Sequence, residues 1–232
     1  MTFLCHCVGM RIGILGGTGP AGSALAARLA SIGYTAVIGS RSADRAVEIA
    51  NEFTERFPQL QGRLSGGDNA AASACDLVVI ATPWDSAATT VQDNADALDG
   101  KIIISMANAL VRVAGEFQPL LPPRGSVAAH IQAAVPRSRV VAAFHHLPAK
   151  ELGHIGEPID SDVLICSDDP TALREVSAIV EKIPGCRPLD AGQLSNATAI
   201  EAFTAVLLQL NVRYKTRVAP KLTGIRSIPE QK

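Results

Sequence analysis

Residues 11–22 read RIGILGGTGPAG, and the fold depends on how that stretch is parsed. An apolar run (Ile12, Ile14, Leu15) enters a glycine-rich turn, and an amphipathic segment over 23–32 follows it. Strand, turn and helix in that order are the setting in which G-x-G-x-x-G binds a dinucleotide. Gly17, Gly19 and Gly22 have that spacing. The first allows a tight turn, the second lets backbone approach a pyrophosphate, and the third lets the helix close on the strand. The pyrophosphate is then expected on the free N–H groups at the helix start, where the macrodipole favours negative charge. A turn merely shaped by glycines is the competing reading, and the flanking strand and helix count against it.

Gly16, Gly19 and Gly22 also match the G-x-x-G-x-x-G spacing of short-chain dehydrogenases. Those enzymes need a Tyr-x-x-x-Lys pair, and neither Tyr34 nor Tyr214 has a lysine four residues on.

The most informative position lies past the next strand, over 35–39 (TAVIG). Folds that bind NAD usually place a carboxylate there for the ribose hydroxyls, which would repel a 2′-phosphate. Here the chain has Ser40 and Arg41, with Arg45 one helical turn on. Two guanidiniums and a hydroxyl suit a phosphate dianion through forked, charge-assisted hydrogen bonds, so NADP is expected over NAD. As ornaments of a helix start the arginines would be mildly unfavourable.

At 232 residues the chain suffices for one sizeable core or one large domain with a small appendage. With 47% hydrophobic and 19% charged residues and a net charge of −1, it has no electrostatic reason to bind nucleic acid or an anionic membrane. A small-molecule partner and a cytoplasmic location are expected, and no apolar run is long enough for a membrane span. The five cysteines are scattered, as reduced thiols would be. Cys5-His6-Cys7 lacks the second ligand pair of a tetrahedral site, so no metal is expected. Residues 1–9 carry no periodic pattern and read as a disordered extension, or as preceding a natural start at Met10.

Further on, a charged helix is expected over 42–57, a weak strand over 63–65, a small-residue helix over 70–74 and a buried strand over 76–82. The last ends in Thr82-Pro83-Trp84 at the carboxyl edge of the sheet, where open α/β folds bind ligands. Trp84 either covers the nicotinamide ribose or packs the following helix. A strand over 101–106 brings Ala107 and Asn108 toward the cofactor from the other side. Residues 116–127 read as a connection, 127–135 as a helix, and 140–144 as a strand running into His145-His146-Leu147-Pro148-Ala149. A strand over 161–167, a helix over 170–183 and a strand over 187–192 complete the sheet. The final helix, over 195–214, is expected to be capped by Ser195, with Glu201 favoured in its early turns. Its apolar stripe (Ile200, Phe203, Val206, Leu207, Leu210) would face the substrate side or a second subunit. The fold class is therefore α/β, a Rossmann-like, doubly wound, mostly parallel sheet. Residues 10–192 form the NADP-binding domain and 193–232 a small helical C-terminal portion.

GGTGPAG, IGSRSADR, ATPW, FHHLPA and RPLDAGQLSN, in that order from Met10 to about Tyr214, resemble the F420-dependent NADP oxidoreductases. The resemblance implies hydride transfer between NADP(H) and the deazaflavin coenzyme F420. It implies that Thr18, Gly19, Pro20 and Ala21 contact the pyrophosphate, and Ser40, Arg41 and Arg45 the 2′-phosphate. Thr82, Pro83, Trp84 and Ala149 would line the nicotinamide end, while His145, Pro148 and the start of the last helix border the deazaflavin. The chain departs from the family in its N-terminal extension, at SMANAL (105–110) and at His146. Such a reaction needs positioning and exclusion of water more than an acid–base triad, so no catalytic side chain is expected. His145 either hydrogen-bonds the pyrimidine edge of the deazaflavin or is a strand-end histidine satisfied within the fold. His146 should point to the opposite face and be structural. The competing functions are an NADPH-dependent reductase of another small substrate and a non-catalytic NADP-binding sensor. A homodimer or higher homo-oligomer is expected.

Overall fold

Every residue of Leu77–Ile80 and Ile102–Ser105 is buried, as strands covered by helices on both faces require. The computed structural model describes residues 9–225. The expectations for Cys5-His6-Cys7 and for residues 1–8 fall outside the described residues. In chain order the elements are β1 (Arg11–Leu15), α1 (Pro20–Ser31), β2 (Thr35–Ser40), α2 (Ala43–Arg56), β3 (Leu64–Asp68), α3 (Asn69–Ser73) and β4 (Leu77–Ile80). Next come α4 (Trp84–Gln92), α5 (Ala95–Leu98), β5 (Ile102–Ser105), β6 (Leu110–Val113), β7 (Glu116–Pro119), α6 (Val127–Ala134) and β8 (Arg139–Ala142). The chain continues through α7 (Ala149–Gly153), β9 (Ser161–Ser167), α8 (Pro170–Glu181), β10 (Cys186–Asp190) and α9 (Ala197–Tyr214).

Eight strands form one sheet in the order β10-β9-β8-β5-β4-β1-β2-β3. From β3 to β8 all pairs are parallel; β8 and β9 run antiparallel, and β9 and β10 are parallel to each other. The sheet is Rossmann-like and mostly parallel. The strand order reverses between β1 and β4, and their carboxyl ends open the crevice where such sheets bind ligands. One face packs Ile12, Ile14, Ile38 and Val79 against Leu25 and Leu29 of α1 and Val176 of α8. The other packs Leu15, Val78, Ile80 and Ile103 with Val91 of α4, Ile131 of α6 and Ile200 of α9.

Three expectations are corrected. Residues 110–119 form a separate antiparallel hairpin, where the sequence predicts a plain connection over 116–127. Ala114 (φ 49°) and Gly115 (φ 87°) make its two-residue turn, a geometry that suits the twist of paired strands. The hairpin buries neither face, so it has no apolar alternation to read; it rests on α9, where Gln209 Oε1 accepts from the Phe117 N–H at 3.4 Å. The first helix starts at Pro20, not residue 23, because proline fits the first helical position. The last helix starts at Ala197, after a 3-10 turn over Leu194–Asn196, and Ser195 does not cap it.

Beyond α9 the chain turns back to the β9–β10 edge. Asp162, wholly buried, accepts from Arg187 Nε (2.8 Å) and Nη2 (2.7 Å) and from the Leu222 N–H (2.6 Å). The Asp162 N–H donates to the Pro220 carbonyl at 2.8 Å. The Arg187 guanidinium holds the Asp162 carboxyl below its usual range.

Candidate active site

The glycine turn divides its work differently from the sequence reading. Gly16, with φ +70°, takes the left-handed conformation, and a Cβ there would lie 2.6 Å from Thr82 Cγ2. Gly17 donates its N–H to the Gly39 carbonyl at 2.9 Å, joining the turn to β2. A Cβ on Gly22 would lie 2.9 Å from Gly17 Cα and 3.0 Å from Ala81 Cβ, so α1 closes on the turn only because the residue is glycine. A Cβ on Gly19 would meet only the Gly16 oxygen, at 3.9 Å. That glycine therefore faces open space, the cradle that a pyrophosphate needs. No side chain caps α1, so its first N–H groups keep their capacity for an anion.

At the end of β2, Ser40 Oγ accepts from the Ser42 N–H (3.2 Å), and Ser42 Oγ accepts from the Arg45 N–H (3.4 Å). These bonds fix the entry into α2, and Arg41 and Arg45, four residues apart, are both exposed there. Among the described residues neither guanidinium forms an ion pair.

Thr82 follows β4 and lies against the Gly16 backbone, and its buried hydroxyl has no hydrogen-bond partner among the described residues. Pro83 is exposed at the start of α4, and half-buried Trp84 packs on the apolar cluster beneath that helix.

Asn108, His145 and Thr204 form one partly buried knot. Asn108 Oδ1 lies 3.1 Å from His145 Nδ1 and accepts from the Thr204 hydroxyl at 3.0 Å, while its Nδ2 donates to the His145 carbonyl at 3.4 Å. Burial and the neighbouring His146 push the His145 pKa down to about 3, so the ring is neutral near pH 7. The Ala107 and Met106 carbonyls offset part of that shift, yet neither completes a hydrogen bond to Nε2, which is buried without a partner among the described residues. His146 points elsewhere: its Nε2 donates to the Ile200 carbonyl at 2.7 Å, and its ring meets Phe203 edge-on at 5.5 Å. Phe144 just before them is buried with φ 65°, a conformation bulky residues adopt only when the surrounding fold enforces it. Pro148 and Ala149 then open α7, both half-buried.

From the sequence, Arg28 is passed over and Glu201 is assigned only to the dipole of its own helix. Glu201 is buried, and its carboxylate accepts from the Val127 N–H (2.8 Å) and the Ala128 N–H (3.0 Å), capping α6 from another helix. Burial outweighs those bonds and pushes its pKa up to about 7. Arg28 of α1 is wholly buried. In sequence each is a lone charge on a helix, which ordinarily means a solvated position; the only hint is that apolar residues surround both.

A family model described as "NADP oxidoreductase coenzyme F420-dependent" matches residues 11–109. The chain is 36% identical over 222 residues to the F420-dependent NADP reductase of Methanocaldococcus jannaschii, spanning 94% of this chain and 97% of that one. It is 34% identical over 232 residues to the F420-dependent NADP reductase of Methanothermobacter marburgensis, spanning 95% and 100%. Its fold matches the crystal structure of a candidate F420-dependent NADP reductase from Arthrobacter sp. FB24, with a TM-score of 0.75 and 26% identity over 91% of this chain and 100% of the other.

Proposed function

The chain belongs to the coenzyme F420-dependent NADP oxidoreductase family, and from that premise we propose how its residues serve the reaction. It is an oxidoreductase that transfers a hydride between NADP(H) and coenzyme F420. When bound, the pair supplies the chemistry itself: a nicotinamide that gives or takes hydride and a deazaflavin that exchanges it at carbon.

The protein's share is to bind, orient and exclude water. Gly17 to Gly22 and the uncapped start of α1 hold the pyrophosphate, and the open cradle at Gly19 fits it. Ser40, Arg41 and Arg45 hold the 2′-phosphate. Thr82, Pro83, Trp84 and Ala149 line the nicotinamide end, where the unpartnered Thr82 hydroxyl has hydrogen-bonding capacity to offer. His145, Pro148 and the first turns of α9 border the deazaflavin. No side chain transfers a proton, in keeping with the neutrality of His145. Residues 193–232 act as the substrate-side portion. The exposed Phe203, Val206 and Tyr214 of α9 make a face suited to a second copy of the chain. We place the protein in the cytoplasm; no helix of the described residues is long and apolar enough to cross a membrane.

The observation that carries the cofactor reading is the pair of guanidiniums without ion-pair partners beyond β2, where a NAD site would hold a carboxylate. The test is to mix the protein with NADPH and oxidised F420 and follow the loss of deazaflavin absorbance, with NADH as control. Turnover with NADPH and little with NADH is expected. NADPH binding without turnover would indicate a sensor or a reductase of another substrate.

A further inference from the structure

The helix that opens at the glycine turn carries a buried cation that the dinucleotide does not need. Arg28 has five N–H donors, and each meets a main-chain carbonyl. Nε donates to Leu152 (3.1 Å), Nη1 to Ile155 (3.2 Å) and Glu157 (2.9 Å), and Nη2 to Glu151 (2.8 Å) and His154 (2.7 Å). Among the described residues no carboxylate forms an ion pair with it. All five carbonyls belong to α7 and the loop that follows.

A five-residue helix such as α7 does not hold itself together in isolation, and its last carbonyls lack intrahelical partners. Arg28 satisfies two of them and three more beyond, and the positive charge lies where the negative end of the helix dipole favours it. Packing follows the same line, since α7 lies on α1 and a Cβ on Gly153 would meet Ala24 Cβ at 3.7 Å. Arg28 thus fastens the dinucleotide helix to the segment that starts at Ala149, directly after His145-His146-Leu147-Pro148. Lysine cannot replace it, because an ammonium offers three donors from one point and not a planar fork of five.

We infer that Arg28 is a positioning residue for hydride transfer: by binding α7 to α1 it sets where the 145–149 wall stands relative to the nicotinamide end. This rests on the proposed placement of His145, Pro148 and Ala149 at the pocket. Without the guanidinium the wall loses its anchor, while the glycine turn and the arginine corner keep theirs.

The test uses the full chain. Arg28→Ala is expected to raise KM for F420 roughly tenfold or more while the Kd for NADP+ changes less than about twofold. Amide hydrogen exchange should quicken over 149–157 and not over 11–22. Added guanidinium should lower the raised KM, and methylammonium at the same concentration should not. Should Arg28→Ala not fold, Arg28→Lys is expected to show the same split between F420 and NADP+ in weaker form. The inference is overturned by a folded variant with the parental KM, by a raised KM that guanidinium leaves unchanged, or by an equal loss of NADP+ and F420. Pro148→Gly tests the underlying placement separately. An unchanged KM for F420 there would refute the pocket wall itself, whatever Arg28 does.

Discussion

Replacing Glu201 separates two contributions to stability that the native residue combines. Its carboxylate is 4% exposed and satisfies the Val127 and Ala128 N–H groups at the start of α6. Glu201→Ala leaves both donors buried and unpaired, at about 1–3 kcal/mol each. The alanine variant also no longer buries a charge, so a net loss of about 2–4 kcal/mol is expected. For a chain of this size that lowers Tm by roughly 5–15 °C. Glu201→Gln keeps the shape and one acceptor oxygen but does not titrate. The folded pKa of about 7 stands above the unfolded value near 4.5. The stability this group contributes is therefore fully present below about pH 4.5 and lost as pH rises through 7. At about 1.4 kcal/mol per pKa unit, that loss is on the order of 3 kcal/mol. The assay is the denaturant midpoint of the native protein, Glu201→Gln and Glu201→Ala between pH 5 and pH 8. Taking the difference between native and glutamine curves cancels every contribution common to the two proteins. The glutamine variant should gain on the native protein from pH 5 to about 7 and level off above it, while alanine should lie below glutamine throughout. A native-minus-glutamine difference that stays flat with pH would refute the reasoning.

Two further expectations concern the nucleotide. Arg41→Ala should raise KM for NADPH roughly tenfold or more, since charge-assisted hydrogen bonds contribute about 1.5–3 kcal/mol. It should change KM for NADH little, and equal effects on both would remove the 2′-phosphate from this corner. Gly22→Ala would put a methyl 2.9 Å from Gly17 Cα, where only backbone can yield. A stability loss of about 1–3 kcal/mol together with weakened NADP+ binding is expected, read by thermal melting and by titration of protein fluorescence.

The sheet was legible because its central strands are apolar on both faces, and runs such as LVVI and IIIS leave few alternatives when glycine turns and helices separate them. The exposed placement of Arg41 and Arg45 beyond β2 was legible because charged side chains at a helix start stay in water. The hairpin at 110–119 was not, since a ribbon with both faces wet has no period. Nor was α7, whose five residues are held by a guanidinium more than a hundred positions upstream. Glu201 was assigned to the dipole of its own helix but serves another, because the crossing of α6 and α9 exists only in three dimensions. Thr82 was read as cofactor lining, and the structure also gives it contact with the Gly16 backbone.

The return of the chain to Asp162 has a bearing on how this protein could be recombined with its kin. A chimera that exchanged everything after Gly192 would part Leu222 from the Asp162 carboxylate, and would hand a foreign tail to Arg187, which donates to the Leu222 and Ile225 carbonyls. The last two strands and the terminal stretch are bonded as one unit, so a workable crossover lies upstream of β9.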